Sequence, residues 1–264
     1  MKNMLIVPLL ALLLGACSEP QSKARAVYPL LDTSGTYTAE MDKAQKIINY
    51  LLATLDSGDS IAIARIDSGS FSEKDIIAHA TFDTRPSTAN VQKRALKSRI
   101  DEFVSDTKRG SQHTDITGGV LQASEFLTET GAGEQYILIF SDLEEDLQQE
   151  HIRDFPLEMP GIHVVALNVT KLRSDNIDPR DYPKRLEHWQ QRVTRAGADW
   201  EVINDLERIG DQAEKLDALA MFKVRDTLTV AMADPQNLQL IDEIERVTNL
   251  RVRPVFANRD SIER

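Results

Sequence analysis

The sequence predicts an α/β protein: a doubly wound, mostly parallel sheet covered by helices, followed by a small C-terminal β-α-β module. Short apolar runs alternate with helix-length amphipathic segments through most of the 264 residues, which is typical of a sheet built from β-α units. Two of the runs, 136–140 and 162–169, are continuously or almost continuously apolar, as expected for strands buried on both faces. After residue 222 the segments become shorter, and this change predicts a separate module.

The elements of the main part follow from hydrophobic periodicity. Met41, Ala44, Ile48 and Leu51 recur at helical spacing, whereas residues 61–66 alternate as a strand does. The same reasoning predicts strands over 27–31, 61–66, 76–82, 136–140, 162–169 and 200–203, the third of them at a sheet edge. It predicts helices over 39–55, 91–104, 120–127, 183–196 and 206–219.

Composition limits the classes of function. The 31 basic and 42 acidic residues give a formal net charge of −11, which argues against a nucleic-acid binder, because neutralising phosphates needs a basic face. One cysteine permits neither an internal disulfide nor a cysteine-based zinc site. The sequence contains no phosphate-binding Gly-x₄-Gly-Lys-Ser/Thr loop, so no nucleotide is predicted as a ligand.

The N-terminal segment predicts export and lipidation. Lys2 precedes an apolar run over 4–14, which is shorter than the roughly 20 residues that span a bilayer. The run ends in Leu-Gly-Ala before Cys17 and resembles the lipobox of bacterial lipoproteins. The resemblance implies a signal peptide over 1–16, a lipidated linker over 17–25 and fatty acyl chains such as palmitate on Cys17. Ser18 then favours the outer membrane, facing the periplasm; the alternative is an ordinary secretory signal with a chance cysteine.

Three polar clusters stand out in the main part, two after predicted strands and one at the start of a predicted helix. The first strand leads into residues 32–36, the strand 136–140 leads into Ser141 and Asp142, and the loop 110–119 opens a helix. In an open α/β sheet, ligands bind at the carboxyl ends of the central strands. Carboxylate and hydroxyl oxygens are hard ligands, and they suit Mg²⁺ or Mn²⁺ held partly through water.

These clusters resemble the metal-ion-dependent adhesion site (MIDAS) of the von Willebrand factor A (VWA) domain. Asp32, Ser34 and Thr36 match its Asp-x-Ser-x-Ser element with threonine last, Thr114 matches its middle threonine, and Asp142 its final aspartate. The resemblance implies that Ser34 and Thr36 bind the metal directly, Thr114 directly or through water, and both aspartates mostly through water. It also implies that a carboxylate of a partner protein fills the sixth position.

The resemblance covers roughly residues 25–210, with a VWA-like domain predicted over 26–216, and it leaves alternatives open. The family often has Thr-Asp-Gly at its last aspartate, where this chain has Ser141-Asp142-Leu143, and Thr117 is a rival to Thr114. One alternative is that this edge of the sheet has lost its metal, with Asp32 and Ser34 only capping helices. An aspartyl-phosphate phosphatase is disfavoured, because Ser34 cannot act as its general acid; no enzyme is predicted.

The C-terminal segment, 222–264, resembles the second half of the N-terminal domain of type II secretion and type IV pilus assembly ATPases. The resemblance lies in residues 228–235, 241–248 and 251–255, where a strand, a helix and a strand are predicted. It does not extend to the repeated Arg-Leu-Gly motifs of the cyclic-di-GMP-binding variants, so no nucleotide binding is predicted.

Together these features predict a lipid-anchored envelope protein that binds a partner protein through Mg²⁺ or Mn²⁺. The alternative is a component of secretion or pilus assembly that docks through its C-terminal module and keeps a vestigial metal site.

Overall fold

The computed structural model describes residues 22–35, 37, 40–106, 110–148, 153, 156–204, 218–224, 226–232 and 234–256. The predicted signal peptide, Cys17 and Thr36 lie outside these ranges. Among the residues described, no helix is long and apolar enough to cross a membrane.

The main sheet has six strands. They are β1 (Arg25–Asp32), β2 (Ser60–Ile66), β3 (Ile76–Thr81), β4 (Glu134–Phe140), β5 (Ile162–Leu167) and β6 (Asp199–Ile203). Their order across the sheet is β3-β2-β1-β4-β5-β6, and every neighbouring pair is parallel except β2 and β3. The chain therefore winds outward in both directions from β1 and β4, which confirms the predicted doubly wound fold with its edge strand.

Four helices cover this sheet. They are α1 (Met41–Thr54), α2 (Pro86–Asp106), α3 (Ile116–Thr130) and α4 (Asp181–Arg195). Helices α1 and α2 pack on one face together with Leu138 and Phe140 of β4, while α3 and α4 pack on the other together with Ile137 and Ile139. Since successive strand residues point to opposite faces, covering both faces explains why residues 136–140 of β4 are all apolar.

The C-terminal module contains three strands rather than the two predicted. It consists of β7 (Ala218–Val224), β8 (Thr227–Met232), α5 (Leu238–Thr248) and β9 (Arg251–Phe256). β8 lies between an antiparallel β7 and a parallel β9, and its Leu228, Val230 and Met232 pack against Ile244 of α5. The predicted helix over 206–219 gives way to strand at 218–219, and residues 205–217 lie outside the described ranges. A short apolar run is compatible with either element until a neighbouring strand pairs with it.

Candidate metal site

The two predicted aspartates lie at the same edge of the sheet. Asp32 is the last residue of β1, and Asp142 comes two residues after the end of the parallel neighbour β4. Both side chains are buried: Asp32 is 0% exposed and Asp142 is 2% exposed. This is the edge where the winding direction of the sheet changes, and ligands of open α/β sheets gather there.

Asp32 is held by serines on both sides. One carboxylate oxygen accepts the N–H of Ser34 at 2.8 Å, and the other accepts the hydroxyl of Ser141 at 2.6 Å. Burial raises the pKa of the Asp32 carboxyl; the hydrogen bonds from Ser141 and Ser34 oppose this effect, and the charge of Asp142 adds to it. Asp32 has no salt bridge to any residue that the structure describes.

The loop before α3 pairs directly with the loop after β1. The N–H of Ser111 donates to the carbonyl of Thr33 at 2.8 Å, and Ser34 and Ser111 form an isolated β-bridge. Gly110 lies so close that a Cβ there would stand 2.5 Å from the backbone nitrogen of Gly35. Only glycine permits this approach, and it brings two of the three predicted polar clusters together.

Thr114 belongs to that paired loop, whereas its rival Thr117 is occupied elsewhere. Thr114 is buried and exchanges two backbone hydrogen bonds with Asp146, at 2.8 and 3.0 Å. Thr117 lies in the first turn of α3, where its hydroxyl accepts a hydrogen bond from Arg192 at 2.8 Å. The geometry therefore favours Thr114 over Thr117 for the middle position of the predicted site.

The turn that follows β4, residues 141–143, is strained and is held by α4; we call it the Asp142 turn. Leu143 has a φ of 64°, a left-handed conformation that is uncommon for a bulky residue and costs of order 1–3 kcal/mol. Arg185 donates to the carbonyl of Asp142 at 2.8 Å, and Trp189 donates to that of Leu143 at 3.1 Å. These bonds and the buried leucine side chain offset the strain.

Some supporting contacts were not predicted from the sequence. Ser141 belongs to the polar cluster predicted after the strand 136–140, but its hydrogen bond to Asp32 was not predicted. Arg185 carries no such local signal, because it reaches the site from a helix some forty residues later in the chain. Arg153 also carries no local signal in the sequence. Its guanidinium pairs at 2.6 Å with the fully buried Asp115 that caps α3.

The donor set fits Mg²⁺ or Mn²⁺ in its chemistry. Within the described part of the chain, no group of three or more His, Cys, Asp or Glu side chains is arranged to hold a metal. The predicted site has a different composition, with two carboxylates and several hydroxyls, all of them hard oxygen ligands. Thr36, which would supply one of the hydroxyls, lies outside the described residues.

Comparison with known proteins supports a chain of two parts. Residues 210–264 match the family model of the MshEN domain. No curated protein sequence matches the chain. Similar solved structures include the pilus adhesin SpaC from Lactobacillus rhamnosus GG, at 9% identity and a TM-score of 0.44 over 70% of this chain and 28% of that one. They also include a von Willebrand factor type A protein from Catenulispora acidiphila, at 12% identity and a TM-score of 0.44 over 69% of this chain and 39% of that one.

A third similar structure, BatB from Bacteroides thetaiotaomicron, has 13% identity and a TM-score of 0.39 over 69% of this chain and 90% of that one. The chain spans less than half the length of SpaC and of the Catenulispora protein. The family match supports the predicted C-terminal module, and the part before it has the predicted α/β fold.

Proposed function

We propose that this protein binds a partner protein through a divalent cation, Mg²⁺ or Mn²⁺, held at the edge of its VWA-like sheet. The proposed ligands, direct or through water, are Asp32, Ser34, Thr36, Thr114 and Asp142. The proposed activity is binding, because carboxylate and hydroxyl oxygens suit coordination of a cation.

The observation that carries the proposal is the state of Asp32. Its carboxylate is fully buried, its pKa is raised by that burial, and the charge of a second buried carboxylate, Asp142, raises it further. Burying an anion without a compensating cation is costly. A divalent cation beside Asp32 would remove this cost, and hard oxygen ligands would bind it well.

The same charges explain why the partner would need the metal. Without a cation, Asp32 and Asp142 repel an incoming carboxylate at this edge. With a cation that keeps one coordination position open, a carboxylate of the partner completes the shell. Metal and partner therefore strengthen each other's binding, and a chelator should release the partner.

The proposed place of action is the cell envelope. A lipid anchor on Cys17 would attach the chain to the outer membrane on the periplasmic side, and the short linker 17–25 would hold the VWA-like domain (26–216) close to the membrane. The module over 222–264 would follow that domain.

Thermal unfolding of the chain from Ser18 onward tests the metal site. We expect millimolar Mg²⁺ or Mn²⁺ to stabilise the parent, by about 2.7 kcal/mol at a hundred times Kd, because the metal binds only the folded state. Asp32→Ala should abolish the response, whereas Asp101→Ala, which removes a surface carboxylate on α2, should retain it. An unchanged melting temperature of the parent with both metals would contradict the proposal.

The match to the MshEN family favours a second candidate, a component of secretion or pilus assembly that docks through its C-terminal module. Deleting residues 218–264, from the start of β7, separates the two. Capture of the partner from envelope extract should survive this deletion and fail with EDTA if the metal site binds the partner. Loss with the deletion and indifference to EDTA would favour docking through the module.

A further inference from the structure

The turn between β5 and α4, residues 171–177, lies at the same edge of the sheet as Asp32 and Asp142, since it follows the carboxyl end of β5. We call it the β5–α4 turn. Its Ile177 is 89% exposed, which is the largest exposure among the exposed large apolar side chains of the described residues. Lys171 and Arg173 of the same turn are also exposed.

A buried ion pair holds this exposed turn in one shape. Asp175 is 4% exposed, accepts the N–H of Leu172 at 2.7 Å and pairs with Arg185 through two hydrogen bonds of 3.2 and 2.9 Å. Arg185 also donates to the carbonyl of Asp142 at 2.8 Å. One guanidinium thus fixes the β5–α4 turn and the Asp142 turn relative to each other.

The ion pair between Asp175 and Arg185 is not explained by a gain in stability. A buried ion pair often contributes no more than well-packed apolar side chains would, and here it positions an isoleucine that makes almost no contact with its own protein. A rigid surface does bring an advantage in binding, because a turn that is already ordered loses little conformational entropy when a partner docks.

The charge of the turn indicates the chemistry of the partner. Other charged groups nearby are paired: Asp178 with Arg180, and Asp181 with Lys184. By contrast, neither Lys171 nor Arg173 has a salt bridge with any residue that the structure describes, although Lys171 lies over the ring of Tyr182 at 5.8 Å. The unpaired charge at this turn is therefore positive, in a chain whose net charge is −11.

We propose that the β5–α4 turn docks an acidic protein segment that carries a large apolar side chain. The apolar side chain packs on Ile177, and the acidic side chains pair with Lys171 and Arg173. A further carboxylate of the segment reaches the metal at Asp32; this last contact rests on the proposed function, whereas the docking surface stands on the turn itself.

The probe is an array of synthetic 12-residue peptides that carry Asp or Glu pairs two to five residues from a Leu, Ile or Phe. A matched array carries Asn and Gln in place of the acids. In Mg²⁺ we expect the acidic peptides to bind the chain from Ser18 onward and the amide peptides not to bind. Ile177→Ser and the double variant Lys171→Ser/Arg173→Ser should each weaken binding about tenfold.

Val91→Ser is the matched control, because Val91 is 58% exposed on α2 and lies away from the turn. It should leave peptide binding unchanged. All of these variants change surface side chains, so their melting temperatures should equal that of the parent, and altered affinity then reports on the contact itself.

The outcomes separate the docking surface from the metal site. Binding that needs Ile177 but survives EDTA and Asp32→Ala keeps the docking surface and rejects the metal-dependent function. Binding that needs Asp32 but not Ile177, Lys171 or Arg173 rejects the docking surface and keeps the metal-dependent function. The docking proposal is overturned if no acidic peptide binds, or if the amide peptides bind equally. It is also overturned if these three side chains instead drive binding to phosphatidylglycerol vesicles.

Discussion

Asp32 shows how one residue can oppose stability and still be retained in a fold. A fully buried carboxylate with a raised pKa destabilises the native state in its charged form, and its neighbours are two serines and a second aspartate. Gly110 serves the same edge through the backbone, because the absence of a side chain lets the loop before α3 pair with the loop after β1. Both residues make sense if the edge serves a ligand.

Asp32→Asn should raise stability when metal is absent. Because the pKa of Asp32 is raised in the folded state, the folded protein holds this proton more tightly than the unfolded chain does. The contribution of Asp32 to stability therefore falls as pH rises from the unfolded value of about 4 through the raised folded pKa. Melting temperatures of parent and variant in EDTA between pH 4 and 7 should show an advantage of the variant that grows with pH.

The same variant should lose the stabilisation by Mg²⁺ or Mn²⁺, since an amide is a weaker ligand and carries no charge. A variant that is less stable than the parent in EDTA at pH 7 would show that Asp32 is compensated within the protein.

Gly110→Ala should impair the site through the backbone. The new Cβ would stand 2.5 Å from the nitrogen of Gly35, so the loops carrying Ser34 and Thr114 must separate. Gly35→Ala is the matched control, because a Cβ there meets nothing within 4 Å. Metal titrations followed by thermal unfolding should show a lost or weakened response for Gly110→Ala and a normal one for Gly35→Ala. Equal responses would mean that the loop pairing is irrelevant to the metal.

At the scale of elements, α4 connects the core to the candidate site. Its buried residues, Arg185, Trp189 and Val193, recur every four residues and form one face. Val193 and Trp189 pack in the core, Trp189 also bonds the strained Leu143, and Arg185 bonds Asp142 and Asp175. Hydrophobic spacing predicted this helix, but that spacing did not indicate that Arg185 is buried on the same face.

Arg185→Met should destabilise the protein by about 3–5 kcal/mol, because it leaves the buried Asp175 without its cation. The double variant Arg185→Met/Asp175→Asn should be more stable than the single one, since no buried charge remains unpaired. Urea unfolding of these two variants and of the single variant Asp175→Asn measures the effect. A double variant that loses as much as the two single variants combined would show that the pair acts only through separate contacts.

At the scale of the whole molecule, the two parts differ greatly in the size of their cores. Two large clusters of buried residues flank the six-stranded sheet. Among the module residues whose side chains the structure describes, the buried core consists of Leu228, Val230, Met232 and Ile244 with a few half-buried neighbours. A small sheet with a small core is marginally stable. The module and the part with the six-stranded sheet are therefore expected to unfold separately.

Urea unfolding should show two transitions, the module unfolding first. Ile244→Ala should lower the midpoint of the first transition, and Ile139→Ala should lower that of the second, each by removing a buried side chain. Mg²⁺ should raise only the second midpoint. A single transition that both variants shift would show that the two parts unfold as one cooperative unit.

The sequence by itself determined the α/β class, the elements of the main sheet to within a few residues and the separate C-terminal module. The reason is that the local spacing of apolar residues indicates both the type of element and whether one or two of its faces are buried. Polar clusters at strand ends and before a helix, together with their resemblance to the VWA pattern, also made Asp32, Ser34, Thr36, Thr114 and Asp142 candidates from the sequence.

Only the tertiary structure decided the remainder. The strand β7 forms because it pairs with β8. The left-handed conformation of Leu143 depends on its burial and on hydrogen bonds from α4. The roles of Ser141 and Arg185 depend on contacts between elements that are distant in sequence. Local patterns record which face of an element is buried, but the partner that a buried polar group meets is set by how the elements pack.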